Sequence, residues 1–200
     1  MRKITAGLFI AADGVVESPD KWHFPYYNDE MGAAVNAQLG SADTLLFGRA
    51  TYENFASAWP ARETGAANEN DSAAAVAEMA QLARMARTLG DARKIVVSRS
   101  RLEFTWRNSE QLHGDLIDAV TKLKAQPGGP IGMSGSVSVV RRLLAARLID
   151  ELHLFVHPIA VGRGQRLFDD AAEPTPLKLI SSEAFTTGVL HNVYGPADEA

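Results

Sequence analysis

The sequence predicts a single-domain α/β fold: a mostly parallel central sheet flanked by helices and finished by a C-terminal antiparallel hairpin. Three observations carry that prediction. Short apolar runs alternate with helix-period segments over most of the chain. Three of those runs stop abruptly at glycine, serine and arginine, as strands do when they turn into helices. The tail then changes to alternating strand patterns around Thr186-Thr187-Gly188, a hairpin signal.

Taken in order, strands are expected over residues 3–10, 43–47, 93–98 and 130–134, and helices over 29–40, 50–57, 72–89, 114–125 and 136–146. Strand and helix alternate, which implies βα units and parallel neighbours. Glu151 to His157 alternates as a further strand, and Leu177–Phe185 with Val189–Tyr194 form the hairpin that closes the sheet. Pro60 to Ser72, rich in Ala, Gly, Asn and Glu, reads as a surface loop, either a lid or an insertion without a role. At 200 residues and 46% hydrophobic, residues 1–200 are expected to share one core.

Composition excludes several chemistries. The chain has no cysteine, so disulfides, thiolate metal sites and cysteine nucleophiles are excluded. A formal net charge of -4 argues against nucleic acid as the main partner. No apolar run is long enough for a signal peptide or a membrane span, which gives a cytoplasmic protein as the expectation. Gly132-Met133-Ser134-Gly135 is not a nucleophile elbow, which sets aside serine hydrolase chemistry. His153 and His157 share a strand face, yet at about 3.3 Å per residue they stand roughly 13 Å apart, too far for one metal ion.

The three strand ends are where chemistry is expected. In Leu45-Leu46-Phe47-Gly48-Arg49-Ala50-Thr51-Tyr52-Glu53, Gly48 lets backbone approach a ligand, and the following helix offers free N–H groups, with Arg49 and Thr51 beside them. In Lys94-Ile95-Val96-Val97-Ser98-Arg99-Ser100 a β-branched run ends in hydroxyl and guanidinium groups. From Arg84 to Arg107 the chain carries seven basic residues (Arg84, Arg87, Arg93, Lys94, Arg99, Arg101, Arg107) against two acids (Asp91, Glu103), a local reversal of charge that suits an anion. In Pro130 to Ser138, the small residues Ser134, Gly135 and Ser136 open a helix at Val137. They suit either a docked pyrophosphate or a tight turn with Ser136 as N-cap.

These motifs, in this order and spacing, resemble the dihydrofolate reductase-like superfamily, and more closely its RibD C-terminal branch, the reductase domain of riboflavin biosynthesis. Ala11-Ala12-Asp13-Gly14, Leu148-Ile149-Asp150-Glu151-Leu152 and Pro158-Ile159-Ala160-Val161-Gly162-Arg163-Gly164 support that branch, and the resemblance spans nearly the whole chain. It implies an NADPH-dependent reductase that passes hydride to a small heterocyclic or carbonyl compound. Arg49, Ser98 and Arg99 would hold the adenosine 2′-phosphate, and Thr51 with Ser134, Gly135, Ser136 and Val137 the pyrophosphate; Gly48 and Ser100 belong to the same cofactor-binding set. On the substrate side, Trp22, Phe24, Tyr26, Tyr27 and Phe155 offer aromatic faces that either stack on a heterocycle or pack in the core, and Asp13 either orients a polar edge and donates a proton or simply forms an Asp-Gly turn. The folate enzymes carry a carboxylate two residues after the proline of Trp-x-x-Pro. Here Trp22-His23-Phe24-Pro25 is followed at that place by Tyr27, so a folate substrate is not expected. A homodimer through the C-terminal strands is expected, because an apolar sheet edge needs cover. The reading from another class is a non-catalytic nucleotide- or small-molecule-binding protein on the same fold.

Overall fold

A computed structural model describes residues 1–65, 72–168 and 174–197. Eight strands and five α-helices follow one another as β1 (Ile4–Ala11), α1 (Asp29–Gly40), β2 (Thr44–Gly48), α2 (Arg49–Ala58), α3 (Ala73–Asp91), β3 (Arg93–Val97), β4 (Ser109–Gln111), α4 (Leu116–Ala125), β5 (Ile131–Ser134), α5 (Val137–Ala145), β6 (Glu151–His157), β7 (Leu177–Ala184) and β8 (Leu190–Pro196). The strands make one sheet in the order β4-β3-β2-β5-β1-β6-β8-β7. The first six in that order are parallel; β8 runs antiparallel to β6, and β7 antiparallel to β8. The expected fold class is therefore the observed one.

Both faces of the parallel part are covered, which explains why its strands read as continuous apolar runs. On β1, Ile4, Ala6, Leu8 and Ile10 join Leu46, Ile95, Ile131 and Met133 beneath α4 and α5, whose Val120, Leu123, Val140 and Leu143 close that layer. The opposite face gathers Leu45, Phe47 and Val96 with Leu39 of α1, Tyr52 of α2 and Leu89 of α3. Helix starts follow local chemistry. Asn28 caps α1 through Met31 N–H at 3.0 Å, and Asp115 caps α4 through the N–H groups of Ile117 and Asp118 at 2.8 and 3.2 Å.

Two elements depart from expectation. β4 is a three-residue polar strand, Ser109-Glu110-Gln111, without any apolar period; its backbone pairing with β3 alone makes it a strand. Pro60–Thr64, expected as loop, is a 3-10 turn, and the remainder of the expected 60–72 loop lies largely outside the described residues. Lys94 also departs from its expected surface. It is fully buried, its Nζ donates to the carbonyls of Leu89, Gly90 and Ala92 at 2.7–2.8 Å, and it sits 4.4 Å from the centre of the Trp106 ring. It closes the C-terminus of α3 rather than facing a ligand. Among the described residues no helix is long and apolar enough to cross a membrane.

Candidate functional site

The chain order reverses beside β1: α1 leads away to β2 on one side, while α5 crosses over to β6 on the other. In such sheets ligands lodge outside the carboxyl ends of the strands at this switch point. Every strand end singled out above lies at that edge.

At its centre two helix N-termini meet. The β2–α2 junction at Gly48 and the β5–α5 junction at Ser136 are joined by Gly48 N–H donating to Ser136 Oγ at 2.6 Å. A Cβ on Gly48 would stand 3.1 Å from Ser136 Oγ and 3.2 Å from Ser136 Cβ, tighter than ordinary packing, so glycine lets the two junctions approach this closely. Gly135 and Ser136 both take left-handed backbone, with φ of 75° and 64°. Gly135 faces Thr51, whose Oγ1 lies 3.9 Å from where a Cβ at 135 would be, and the intervening space is open on the solvent side of the turn. Ser136 stands at the N-cap of α5, but its side chain makes no cap hydrogen bond. Ser136 thus holds the expected N-cap position, but its hydroxyl oxygen accepts from Gly48 N–H instead of from the first turn of α5, which leaves its proton and a second lone pair for other partners. The N-termini of α2 and α5, each with unfilled first-turn N–H groups and a partial positive charge, open side by side.

Next to this cradle lies the turn after β3. Ser98 Oγ donates to Ser100 carbonyl oxygen at 2.8 Å and accepts from Ser100 N–H at 3.2 Å, and Gln111 Nε2 donates to both the Ser98 and Ser100 carbonyls. Arg49 reaches over from α2, with Nη1 on Ser100 Oγ at 2.9 Å and Nε on Glu53 at 2.7 Å. Arg49, Ser98 and Ser100 are therefore brought together as expected. Arg99 is exposed in the same turn and has no ion-pair partner among the described residues. The surrounding basic cluster is smaller than the sequence suggests. Lys94 is buried, Arg93 pairs with Glu110, and Arg107 pairs with Glu63 and Asp91, while Arg101 borders a depression of about 610 Å³ lined also by Leu102, Phe104, Ser109, Glu110, Gln111 and His113.

The other flank of β1 overturns part of the expected substrate set. Phe155 is 1% exposed, packed with Met31, Phe185 and Val189, and stacked on His191 at 4.4 Å. Trp22 is 7% exposed, with Nε1 donating to the Glu17 carbonyl at 3.0 Å. Both are core residues; sequence alone does not say that α1 and the segment of residues 18–27 would cover them. Phe24 and Tyr27 keep open faces, at 65% and 46% exposed. Asp13 is a clamp: its Oδ2 accepts the Gly162 N–H at 2.6 Å, and this hydrogen bond, first among its causes, holds the carboxyl below its ordinary range. That bond occupies one carboxylate oxygen, while Oδ1 stays buried without a partner among the described residues.

Sequence reasoning missed the histidines here. His157, at the end of β6 opposite Ala11 of β1, is fully buried, and His23 is 7% exposed, their rings 6.1 Å apart and nearly perpendicular. Burial, the leading cause for each, lowers both; His23 falls to about 4. The end of a parallel strand beside the switch point was a usable signal for His157. His153 and His191, also treated as isolated, lie 3.0 Å apart between Nδ1 and Nε2, brought together by the β6–β8 pairing.

Comparison with known proteins bears on the whole chain. Residues 2–191 match the family model described as the RibD C-terminal domain. An uncharacterized protein of Bacillus subtilis strain 168, YyaP, is 26% identical over 194 residues, covering 96% of this chain and 94% of that protein. Among solved structures, a putative riboflavin biosynthesis protein of Shewanella sp. PV-4 superposes with a TM-score of 0.70 at 18% identity, covering 98% of this chain and 99% of that one. A pyrimidine reductase-like protein of Corynebacterium diphtheriae gives 0.64 at 16% identity, covering 99% and 93%. A diaminohydroxyphosphoribosylaminopyrimidine deaminase/5-amino-6-(5-phosphoribosylamino)uracil reductase of Thermotoga maritima gives 0.63 at 14% identity, and this chain spans 98% of itself but 57% of that longer protein.

Proposed function

The chain belongs to the RibD C-terminal domain family, and on that premise we propose that it is an NADPH-dependent reductase transferring hydride to a small heterocyclic or carbonyl compound. The observation that carries the reading is the meeting of two helix N-termini at Gly48 and Gly135-Ser136, with a free arginine one turn away. That arrangement suits a ligand with a pyrophosphate at its middle and a further phosphate toward one end. A Cβ at 135 would enter the cradle beside Thr51, so the residues present fit the group.

NADPH, when bound, supplies the hydride. The N–H groups at Ser136, Val137 and the start of α2 would donate to the pyrophosphate, with Thr51 and Ser134 hydroxyls beside them. Arg99, helped by Arg49 and by Ser98 and Ser100, would grip the 2′-phosphate, and the 610 Å³ depression beside Arg101 would take the adenosine end. Asp13 would hold the loop of residues 158–164 against β1. Asp13 or an ordered water beside it would supply the proton. The uracil reductase named among the structural relatives makes a ribosylated aminopyrimidine a reasonable substrate class to try first.

Titration calorimetry with NADPH, followed by NADPH oxidation at 340 nm in the presence of aminopyrimidines, lumazines and quinones, tests the proposal. Tight binding with turnover supports the reductase, tight binding without turnover supports the binding protein, and no binding refutes both. A cytoplasmic homodimer belongs to the same proposal. Leu179 and Ile180 of the edge strand β7 are each 55% exposed, and Leu190 is 41% exposed, an apolar margin that a second copy would cover. Sedimentation at micromolar concentration is expected to give a dimer, and Ile180→Asp a monomer; a wild-type monomer would refute it.

A further inference from the structure

The register of β6 with β8 sets Phe155 opposite His191 and His153 opposite Val193, so the two histidines are diagonal neighbours on one face of the sheet. His153 Nδ1 and His191 Nε2 are 3.0 Å apart. The ring centres stand 5.2 Å apart and the planes differ by 24°, so the rings meet edge to edge rather than face to face. Two imidazole nitrogens hold that contact with one proton between them. Its place follows from the neighbours. His153 Nε2 stands 3.6 Å from Glu151 Oε2, and a carboxylate accepts, so Nε2 carries the proton of that ring and Nδ1 is left to accept from His191 Nε2–H.

The pair occupies a seam that little else holds. β8 joins the sheet through β6, and β7 joins it through β8 alone, with every residue from Lys178 to Ala184 exposed. Among the described residues this is the one side-chain hydrogen bond between β6 and β8. Phe155 lies flat on His191, with ring centres 4.4 Å apart. Charged neighbours are few. Lys3 engages the other oxygen of Glu151 at 2.7 Å, Glu183 of β7 stands opposite His191, β1 opposes His153 with Gly7, and α1 covers Phe155 with Met31. At the far turn, Glu30 accepts from Thr186 N–H and Oγ1–H at 2.8 and 2.6 Å, and these bonds hold its carboxyl below the ordinary range. Burial lowers both histidines, His191 to about 4 with the nearby His153 as the further cause.

We propose that the His153–His191 pair is a proton-gated fastener of the antiparallel ribbon formed by β7 and β8: one shared proton holds β8 on β6, and acid releases the ribbon as a local unit while the parallel sheet stays folded. Parting the strands returns both rings to water, where each takes up a proton near its ordinary value of 6.5. A closed pair charged on both rings would instead set two N–H groups against each other. Between pH 6.5 and 4, opening therefore takes up as many as two protons, and falling pH favours it. The turn at 185–189 leaves with the ribbon, and with it the cover that Phe185 and Val189 give Phe155. Nothing in this fastener depends on the reductase reading.

Imidazole nitrogen spectra of the whole protein at pH 7.5 are expected to show Nε2–H on both rings and a coupling across the hydrogen bond from His191 Nε2 to His153 Nδ1. Hydrogen exchange read by mass spectrometry, corrected for the intrinsic rate at each pH, follows the opening. The opening constant of residues 177–196 should rise by up to about 100-fold per pH unit below pH 6, the slope of two protons, while residues 44–48 and 131–134 stay protected. His191→Gln keeps a side-chain N–H for His153 but does not titrate, so its slope should fall to about 10-fold per unit or less. Absence of the coupling at pH 7.5, ribbon exchange that does not change with pH, parallel strands that open in step with the ribbon, or a full slope retained in His191→Gln would each overturn the proposal. Should His191→Gln not fold, His153→Gln, which keeps an acceptor for His191, takes its place with the same expectation.

Discussion

The two flanks of β1 are built on different principles. On the β5 side, ligand-binding capacity comes from backbone: left-handed turns, free N–H groups and glycines, with charge added by exposed arginines. On the β6 side the polar groups belong to side chains that are largely buried, and His157 Nε2, His23 Nδ1 and Asp13 Oδ1 lack partners among the described residues. A backbone cradle tolerates no added side chain but much surface variation. A buried aromatic box reverses this, being sensitive to volume and to proton position.

The largest effect is expected at the left-handed turn of the cradle. Gly135→Val puts a β-branched residue at φ 75° beside Thr51, and should abolish measurable NADPH binding while circular dichroism shows a retained fold. A folded variant that binds NADPH normally would make the turn purely structural. On the other flank, Phe155→Ala should cost about 3–5 kcal/mol in denaturant unfolding, because it empties a fully buried site, yet leave NADPH affinity unchanged. If affinity fell as much as stability, the two flanks would not be separate. Within the charged turn, Arg99→Ala should weaken NADPH about 10- to 150-fold with little effect on NADH, as loss of a charge-assisted hydrogen bond of roughly 1.5–3 kcal/mol implies. Arg49→Ala should lose less, since that guanidinium is already engaged by Glu53 and Ser100. Equal losses for the two cofactors, measured by calorimetry, would move both arginines to the shared pyrophosphate.

The smallest effect concerns pH. His23 and His191 are lowered to about 4 by burial, from an ordinary value of 6.5. Between those values the unfolded chain binds more protons than the folded one, so the stability from these neutral rings is complete above pH 6.5 and drains away as pH falls toward 4. Denaturant melts should lose about 2 kcal/mol per histidine between pH 7 and pH 5. His23→Phe or His191→Phe should each flatten the slope, and a slope unchanged in both would show that other groups set it.

The sequence made the cradle legible for a local reason: an apolar run, a glycine and a helix start occupy ten consecutive residues. The same holds for the sheet, whose parallel strands announce themselves by burial on both faces. β4 was not legible, because Ser109 to Gln111 is a strand only by virtue of its neighbour. Phe155 and Trp22 were legible as large apolar groups, but which face α1 and the 18–27 segment would cover is decided by packing across more than a hundred residues. His23 and His157 likewise meet over a separation that no local window contains, and His153 meets His191 only through the register of β6 with β8.

The bond from Gly48 to Ser136 ties two junctions 88 residues apart. Its consequence is historical as much as mechanical. A methyl added at 48 would press on Ser136 at 3.1–3.2 Å, so a lineage that gains alanine there is expected to shift 136 or α5 by a few tenths of an ångström and to narrow the shared opening of the two helices. Across descendants of this fold the two positions are expected to change as a pair, and a sequence in which only one has changed marks a chain whose cradle has been put to another use.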